Sequence, residues 1–182
     1  MDYNLAVLAG DGIGPEVVAE GVKVLQTVGA RFGHKFSLQY GIIGGDAIDR
    51  YGVPMADNVM EMCQRAEAII LGAVGGPKWD DPRAPVRPEQ ALFALRKSFE
   101  LFANMRPVKV HPQLLNATPF KPEALQGTDF IVIRELTGGL YFGKPQKRWE
   151  NSRGRRAVDT LYYTEKEIER ILSMNFYEKM GE

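Results

Sequence analysis

The chain has 182 residues, 45% of them hydrophobic and 25% charged, with 23 basic side chains balanced by 23 acidic ones. A chain of this length buries roughly two thirds of its unfolded surface as one or two domains, and a net charge of zero argues against a surface built for nucleic acid or an anionic membrane. Cys63 is the single cysteine, so no internal disulfide forms, and no apolar run reaches the roughly 20 residues of a membrane span. The opening residues MDYNLAVLAGDGIGPE carry no basic segment and no cleavage pattern, so a cytoplasmic location is expected.

In chain order, YNLAVLAG reads as a short apolar strand closed by glycine. Pro15 suits a first helical turn, and Val17, Val18, Val22, Leu25 and Val28 then recur at helical spacing. FSLQYGIIGG is a second strand, MADNVMEMCQRA a helix, and AEAIILGAVGG a third strand. A loop rich in Pro and Gly runs from Gly72 to Pro88, and a helix begins near Glu89. FANMRPVKV is extended, because Pro107 disfavours helix at Arg106. GTDFIVIRE is a continuous apolar strand of the kind buried on both faces. This alternation implies an α/β fold with a largely parallel sheet. Beyond Glu135 come a hairpin-like arm, a basic loop, another strand and a last helix. Thr164 and Glu167 form a capping box for that helix, which keeps its apolar period at Ile168, Ile171, Leu172 and Phe176.

GDGIGPE, Gly10 to Glu16, stands between a strand and a helix, where a dinucleotide fingerprint would lie. The third glycine, Gly14, comes one place early, and the second strand ends in Gln39 and Tyr40 rather than an acid. A tight strand-to-helix turn accounts for the glycines and Pro15, but leaves Asp11 and Glu16 without a role.

Three arginines border apolar segments. On the helix from Glu89, one stripe holds Glu89, Leu92, Phe93 and Arg96, beside a separate stripe of Ala91, Leu95, Phe99 and Phe102. Arg96 alone is explained by a weak pair with Glu100. Arg106, between apolar residues, would be costly without a partner. Arg134 ends the strand GTDFIVIRE, and α/β sheets bind ligands beyond the carboxyl ends of their strands. Arginine forks match carboxylates, so three of them could hold a dicarboxylate. Their convergence is an expectation.

GDGIGPE, LGAVGGPKWD, LRKSFELFANMRP and IVIRELTGGLYFG, in this order and spacing, resemble the β-decarboxylating dehydrogenases, the isocitrate and isopropylmalate family. The resemblance covers the chain to about Phe176. It implies an isopropylmalate dehydrogenase-like mixed sheet flanked by helices, incomplete here. Residues 1–101 would be the first part of a discontinuous cofactor-binding domain, and 102–182 the start of a second domain with a β-arm for dimerisation. Isocitrate members carry serine and asparagine where this chain has Leu92 and Phe93, which places it on the isopropylmalate side. The implied activity is NAD-dependent oxidative decarboxylation of 3-isopropylmalate in leucine biosynthesis. A catalytically incomplete dimerisation partner, or a relative acting on tartrate or homoisocitrate, stands beside that reading.

By the same resemblance, Arg96, Arg106 and Arg134 would bind the malate carboxylates and hydroxyl, and Leu92 would line the isopropyl pocket. Tyr141 would be the general acid that protonates the enol carbon, since a phenol keeps its proton at neutral pH. Glu89 would sit near the nicotinamide of NAD, bordered by Ile13, Gly75, Gly76, Pro77 and Lys78. The implied Mg²⁺ or Mn²⁺ polarises the substrate oxygen; its aspartate ligands and the assisting lysine are expected beyond residue 182. Partners would be a small dicarboxylate and a second copy of the chain. Set aside are the basic residues around Trp149 as a nucleic-acid contact, His34 and His111 as metal ligands, and Cys63 as a nucleophile, read as a core thiol.

Overall fold

The computed structural model describes residues 1–81 and 83–179; Pro82 and residues 180–182 lie outside the described residues, as do the side chains of residues 175–179, Phe176 among them. The chain divides into two compact units, Met1–Leu95 and Arg96–Glu182.

The first unit is built on β1 (Asp2–Gly10), β2 (Lys35–Gly41) and β3 (Ala68–Ala73), a parallel sheet in the order β2-β1-β3. β1 takes the centre because it is the most continuously apolar strand there: Ala6, Val7 and Leu8 have no exposed surface. Its register runs from Asp2 opposite Lys35 to Leu8 opposite Gly41, and Leu5 faces Ala68 on the other side. Helix α1 (Gly14–Phe32) packs Val18 and Val22 against Val7, with Ala9, Leu38 and Ile70 around them. Its last turn is closed by Gly33 at φ 72°, whose N–H donates to the Gly29 carbonyl. That is a left-handed cap that glycine adopts without strain. Between β2 and β3 lie α2 (Gly45–Tyr51) and α3 (Asp57–Arg65). α3 buries Val59 and Cys63, and burial pushes the Cys63 thiol up from its ordinary value. α2 has no counterpart in the sequence reading: at seven residues it is too short to display a helical period.

Helix α4 (Glu89–Ser98) runs across the division and buries Ala91 and Leu95. In the second unit, β4 (Ala103–Lys109) pairs with β5 (Asp129–Glu135) in an antiparallel ribbon, joined by a 3-10 segment (Pro112–Ala117) and the single turn α5 (Pro122–Leu125). A hairpin of β6 (Lys147–Asn151) and β7 (Gly154–Val158) follows, then α6 (Glu165–Lys179). Both bonds of the expected capping box are made: the Thr164 N–H donates to Glu167, and the Glu167 N–H to the Thr164 hydroxyl.

β5 corrects an expectation. Its apolar run predicts burial on both faces, yet Phe130, Ile131 and Val132 are all exposed. Among the described residues the strand bonds only to β4, and α6 packs at its end, where Ile133 and Glu135 are half-buried. Among the described residues no helix is long and apolar enough to cross a membrane.

Candidate substrate site

The antiparallel register of the ribbon decides where its arginines point. Arg106 lies opposite Val132, and Arg134 opposite Asn104. Residues opposite each other share a face, and so do residues two apart on one strand. Asn104, Arg106, Val132 and Arg134 therefore stand on the same side. The two arginines are diagonal neighbours. Arg106 is exposed, not buried as its apolar neighbours imply, and its Nε donates to Asn104 Oδ1 at 2.6 Å.

β5 is followed by a tight turn into a 3-10 segment, Gly139–Tyr141. Gly139 sits at φ 65°, and a Cβ there would collide with the Tyr163 hydroxyl, so both conformation and space demand glycine. The turn carries the Tyr141 ring beneath two guanidinium groups: Arg134 Cζ lies 5.2 Å from the ring centroid and Arg96 Cζ 5.8 Å. Arg134 Nη2 also donates to the Tyr141 hydroxyl. Arg106, Val132, Arg134, Leu140, Tyr141 and Leu161 line a cavity of about 570 Å³. Burial lowers the Arg96 pKa, and Tyr141 opposes that shift while the charges of Arg134 and Arg106 add to it. Two further cations felt at the Arg96 guanidinium make three in one place, which suits an anion with more than one carboxylate.

Directly after Arg134 stands Glu135, whose side chain is only 10% exposed. Its Oε2 accepts the N–H groups of Thr137 at 2.9 Å and Gly138 at 2.8 Å. Its Oε1 accepts the Thr137 hydroxyl and Arg170 Nη2, the latter at 3.2 Å. Burial pulls this carboxyl upward; the bonds from Thr137, Gly138 and Arg170 outweigh it, and the group titrates below the ordinary 4.5.

The residues expected at the cofactor belong to the first unit. Asp11, left without a role by the sequence, is its fixed point: the residue is 1% exposed. Its carboxylate accepts the Gly45 N–H at 2.6 Å and the Gly75 N–H at 2.8 Å. It ties the first residue of α2 and the loop after β3 to the glycine turn, whose own N–H donates to the Ala73 carbonyl at 2.9 Å. Ile13 is 64% exposed beside that turn. Gly75, at φ 103°, has the Glu89 carboxylate across from it, and Glu89 Oε2 is a buried oxygen without a hydrogen bond, 3.6 Å from Arg87 Nε. Pro77 starts a 3-10 turn in which Lys78 bonds Asp49 at 2.5 Å, crosses the Trp79 ring at 5.1 Å and holds the Asp49 carboxyl low. Leu92 and Phe93 are half-buried on α4.

A side-chain-free approach at Gly75 and Gly76, with the Glu89 carboxylate opposite Gly75, fits the polar edge of a nicotinamide. For a divalent metal the fit fails within this chain: among the described residues no three His, Cys, Asp or Glu side chains come together.

Sequence reasoning named Arg96, Arg106, Arg134 and Tyr141, which the structure brings together, and did not name Glu135 or Arg170. Glu135 lies in a quoted motif, and its position next to Arg134 was the available signal; nothing in the spacing of Arg170 reveals a partner 35 residues away.

The isocitrate/isopropylmalate dehydrogenase family matches residues 4–179, and the chain belongs to that family. The 3-isopropylmalate dehydrogenase of Dehalococcoides mccartyi (strain ATCC BAA-2266 / KCTC 15142 / 195) is 55% identical over 97% of this chain and 48% of its own. That of Geobacillus kaustophilus (strain HTA426) is 51% identical over 96% of this chain and 47% of its own. The crystal structure of isocitrate dehydrogenase from Methylococcus capsulatus shares the fold, with a TM-score of 0.77 at 24% identity over 98% of this chain and 48% of that one. The chain thus spans about half the length of the curated relatives it matches.

Proposed function

We propose that the protein to which this chain belongs oxidises and decarboxylates 3-isopropylmalate with NAD, as a step of leucine biosynthesis. The observation that carries the reading is the gathering of Arg134 and Arg96 on the Tyr141 ring, with Arg106 on the same ribbon face. NAD, where bound, accepts the hydride from the hydroxyl-bearing carbon. The arginines bind the carboxylates and hold the substrate's carbon chain in one orientation, each charge-assisted bond contributing about 1.5–3 kcal/mol. Once the β-keto acid has lost carbon dioxide, an electron-rich enol carbon remains beside the phenol. Tyr141 gives that carbon its proton, and the Arg134 guanidinium, donating to the hydroxyl, keeps it in place.

Leu92, four residues before Arg96 on α4, is read as the contact for the isopropyl branch. Glu89, Gly75, Gly76, Pro77, Lys78 and Ile13 are read as the nicotinamide border, with the Glu89 carboxylate as acceptor for the carboxamide. The described residues supply no cation site, so no step is assigned through Mg²⁺ or Mn²⁺. The β6–β7 hairpin, where Trp149 is 38% exposed, is read as the arm that pairs with a second copy, in a cytoplasmic enzyme.

The test is NAD reduction by the protein expressed from its own gene, with Mg²⁺, on isopropylmalate, tartrate and homoisocitrate. Preference for isopropylmalate supports the reading. Comparable rates on all three remove the argument from Leu92, and no turnover on any of them sinks the enzyme reading.

A further inference from the structure

Tyr141 is useful only if its hydroxyl stays against Arg134, and the two are joined by a turn of six residues, Glu135 to Leu140. Nothing in a short glycine-rich turn fixes a phenol by itself. Here the fixing comes from Glu135, whose two oxygens divide the work. Oε2 caps the turn from within through the Thr137 and Gly138 N–H groups. Oε1 faces outward, to the Thr137 hydroxyl and to Arg170 of α6. Arg170 Nη2 donates to Thr137 Oγ1 as well, so glutamate, threonine and arginine close a three-membered ring of hydrogen bonds. The guanidinium lies 4.8 Å from the Phe102 ring centroid, just before β4, which limits its freedom to swing. The same turn is held from the other side where the Gly139 N–H donates to the Tyr162 carbonyl at 2.9 Å, shortly before the capped start of α6. The turn that aims Tyr141 is therefore fastened at two points, to Arg170 of α6 and to Tyr162 in the segment that leads into it.

We infer that Glu135 and Arg170 are positioning residues for Tyr141, holding its hydroxyl in line for proton transfer while leaving carboxylate binding to the arginines. The inference rests on the reading of Tyr141 as the acid. A simple ion pair would add only stability. A positioning pair sets the proton-transfer step, and a displacement of 1 Å costs a rate of about 10²-fold.

The experiment uses the protein expressed from its own gene and compares R170Q, R170K, E135Q, the double variant E135Q/R170Q and Y141F. R170Q is expected to lower kcat about tenfold or more at nearly unchanged KM, and R170K to recover part of the loss, because an ammonium still reaches one acceptor. E135Q keeps an amide oxygen for the turn's N–H groups but turns a donor toward Arg170. It should match R170Q, and the double variant should be no slower than either single one. If R170Q fails to fold, E135Q and R170K carry the same test. Wild-type kcat in E135Q and R170K, beside a slow Y141F, would overturn the positioning role and leave the acid reading standing. Wild-type kcat in Y141F would remove the acid reading and this inference with it.

Discussion

Replacing Asp11 by asparagine should destabilise the protein far more than its size change warrants. The native carboxylate is 1% exposed and accepts two backbone N–H groups, from Gly45 at 2.6 Å and Gly75 at 2.8 Å. An amide presents one oxygen and one NH₂, so one of those N–H groups would meet another donor. A buried donor left without an acceptor costs about 1–3 kcal/mol, and the bond that remains loses its charge assistance, another ~1 kcal/mol. D11N should therefore lose about 2–4 kcal/mol. D11A orphans both groups and leaves a small void, so about 3–6 kcal/mol is expected. The assay is urea unfolding of the protein expressed from its own gene, followed by tryptophan fluorescence, with amide hydrogen exchange at Gly45 and Gly75. Those two amides should lose protection first. A D11N variant within about 0.5 kcal/mol of the parent, with both amides still protected, would refute the reasoning and show that the loop after β3 is held by something else.

The arginine pocket predicts that R96Q, R106Q or R134Q each raise KM for the dicarboxylate about ten- to a hundredfold, read from initial rates of NAD reduction. Glu135 titrates lower in the folded chain than the ordinary 4.5, so its share of stability is present above that value and lost as pH falls through the folded one. Urea midpoints between pH 3 and 6 should fall more steeply for the parent than for E135Q, and equal slopes would deny Glu135 that role. Cys63, buried with its thiol pushed up, should resist a thiol reagent in the native protein and react on unfolding; prompt native reaction would contradict its burial. Glu100 is the one non-glycine residue at positive φ, 50°, among the described residues. E100G should therefore raise stability by about 0.5–1 kcal/mol in the same urea assay, and a loss would show that the Glu100 side chain does more than endure strain.

Much of the first unit was legible because its signals are local. An apolar run closed by glycine gave β1, and proline with a valine period gave α1; in the second unit, the capping box gave the start of α6 in the same way. The displaced glycine spacing of GDGIGPE argued against a dinucleotide fingerprint, but the partners of Asp11 lie 34 and 64 residues away and leave no trace in that stretch. The same limit applies to the ribbon. An apolar run such as FIVIR states that something will cover it, not which element does so or on which side. Likewise, 28 positions separate Arg106 from Arg134, and only antiparallel pairing puts both on one face. Arg96 shows the converse: its helical stripe was readable, but its neighbours across space were not. Glu135 was hidden by its own motif, where the arginine before it and the tyrosine after it drew the functional interpretation.

The bare apolar side of β5 also bears on the order in which the chain emerges from a ribosome. The first unit has its sheet, its covering helices and Asp11's ties complete once Gly75 and α4 are out, so it has a hydrophobic interior early. The ribbon comes next with Phe130, Ile131 and Val132 open and its outer strand edges unpaired. At about 5–20 residues per second, the stretch from there to α6 takes some seconds to appear. Even then α6 reaches only the end of β5, so the nascent protein offers these apolar side chains to whatever meets them first. Yield on expression should then depend less on how strongly the finished fold holds than on how quickly that strand is shielded, which makes a holdase chaperone or a lower growth temperature the natural handle.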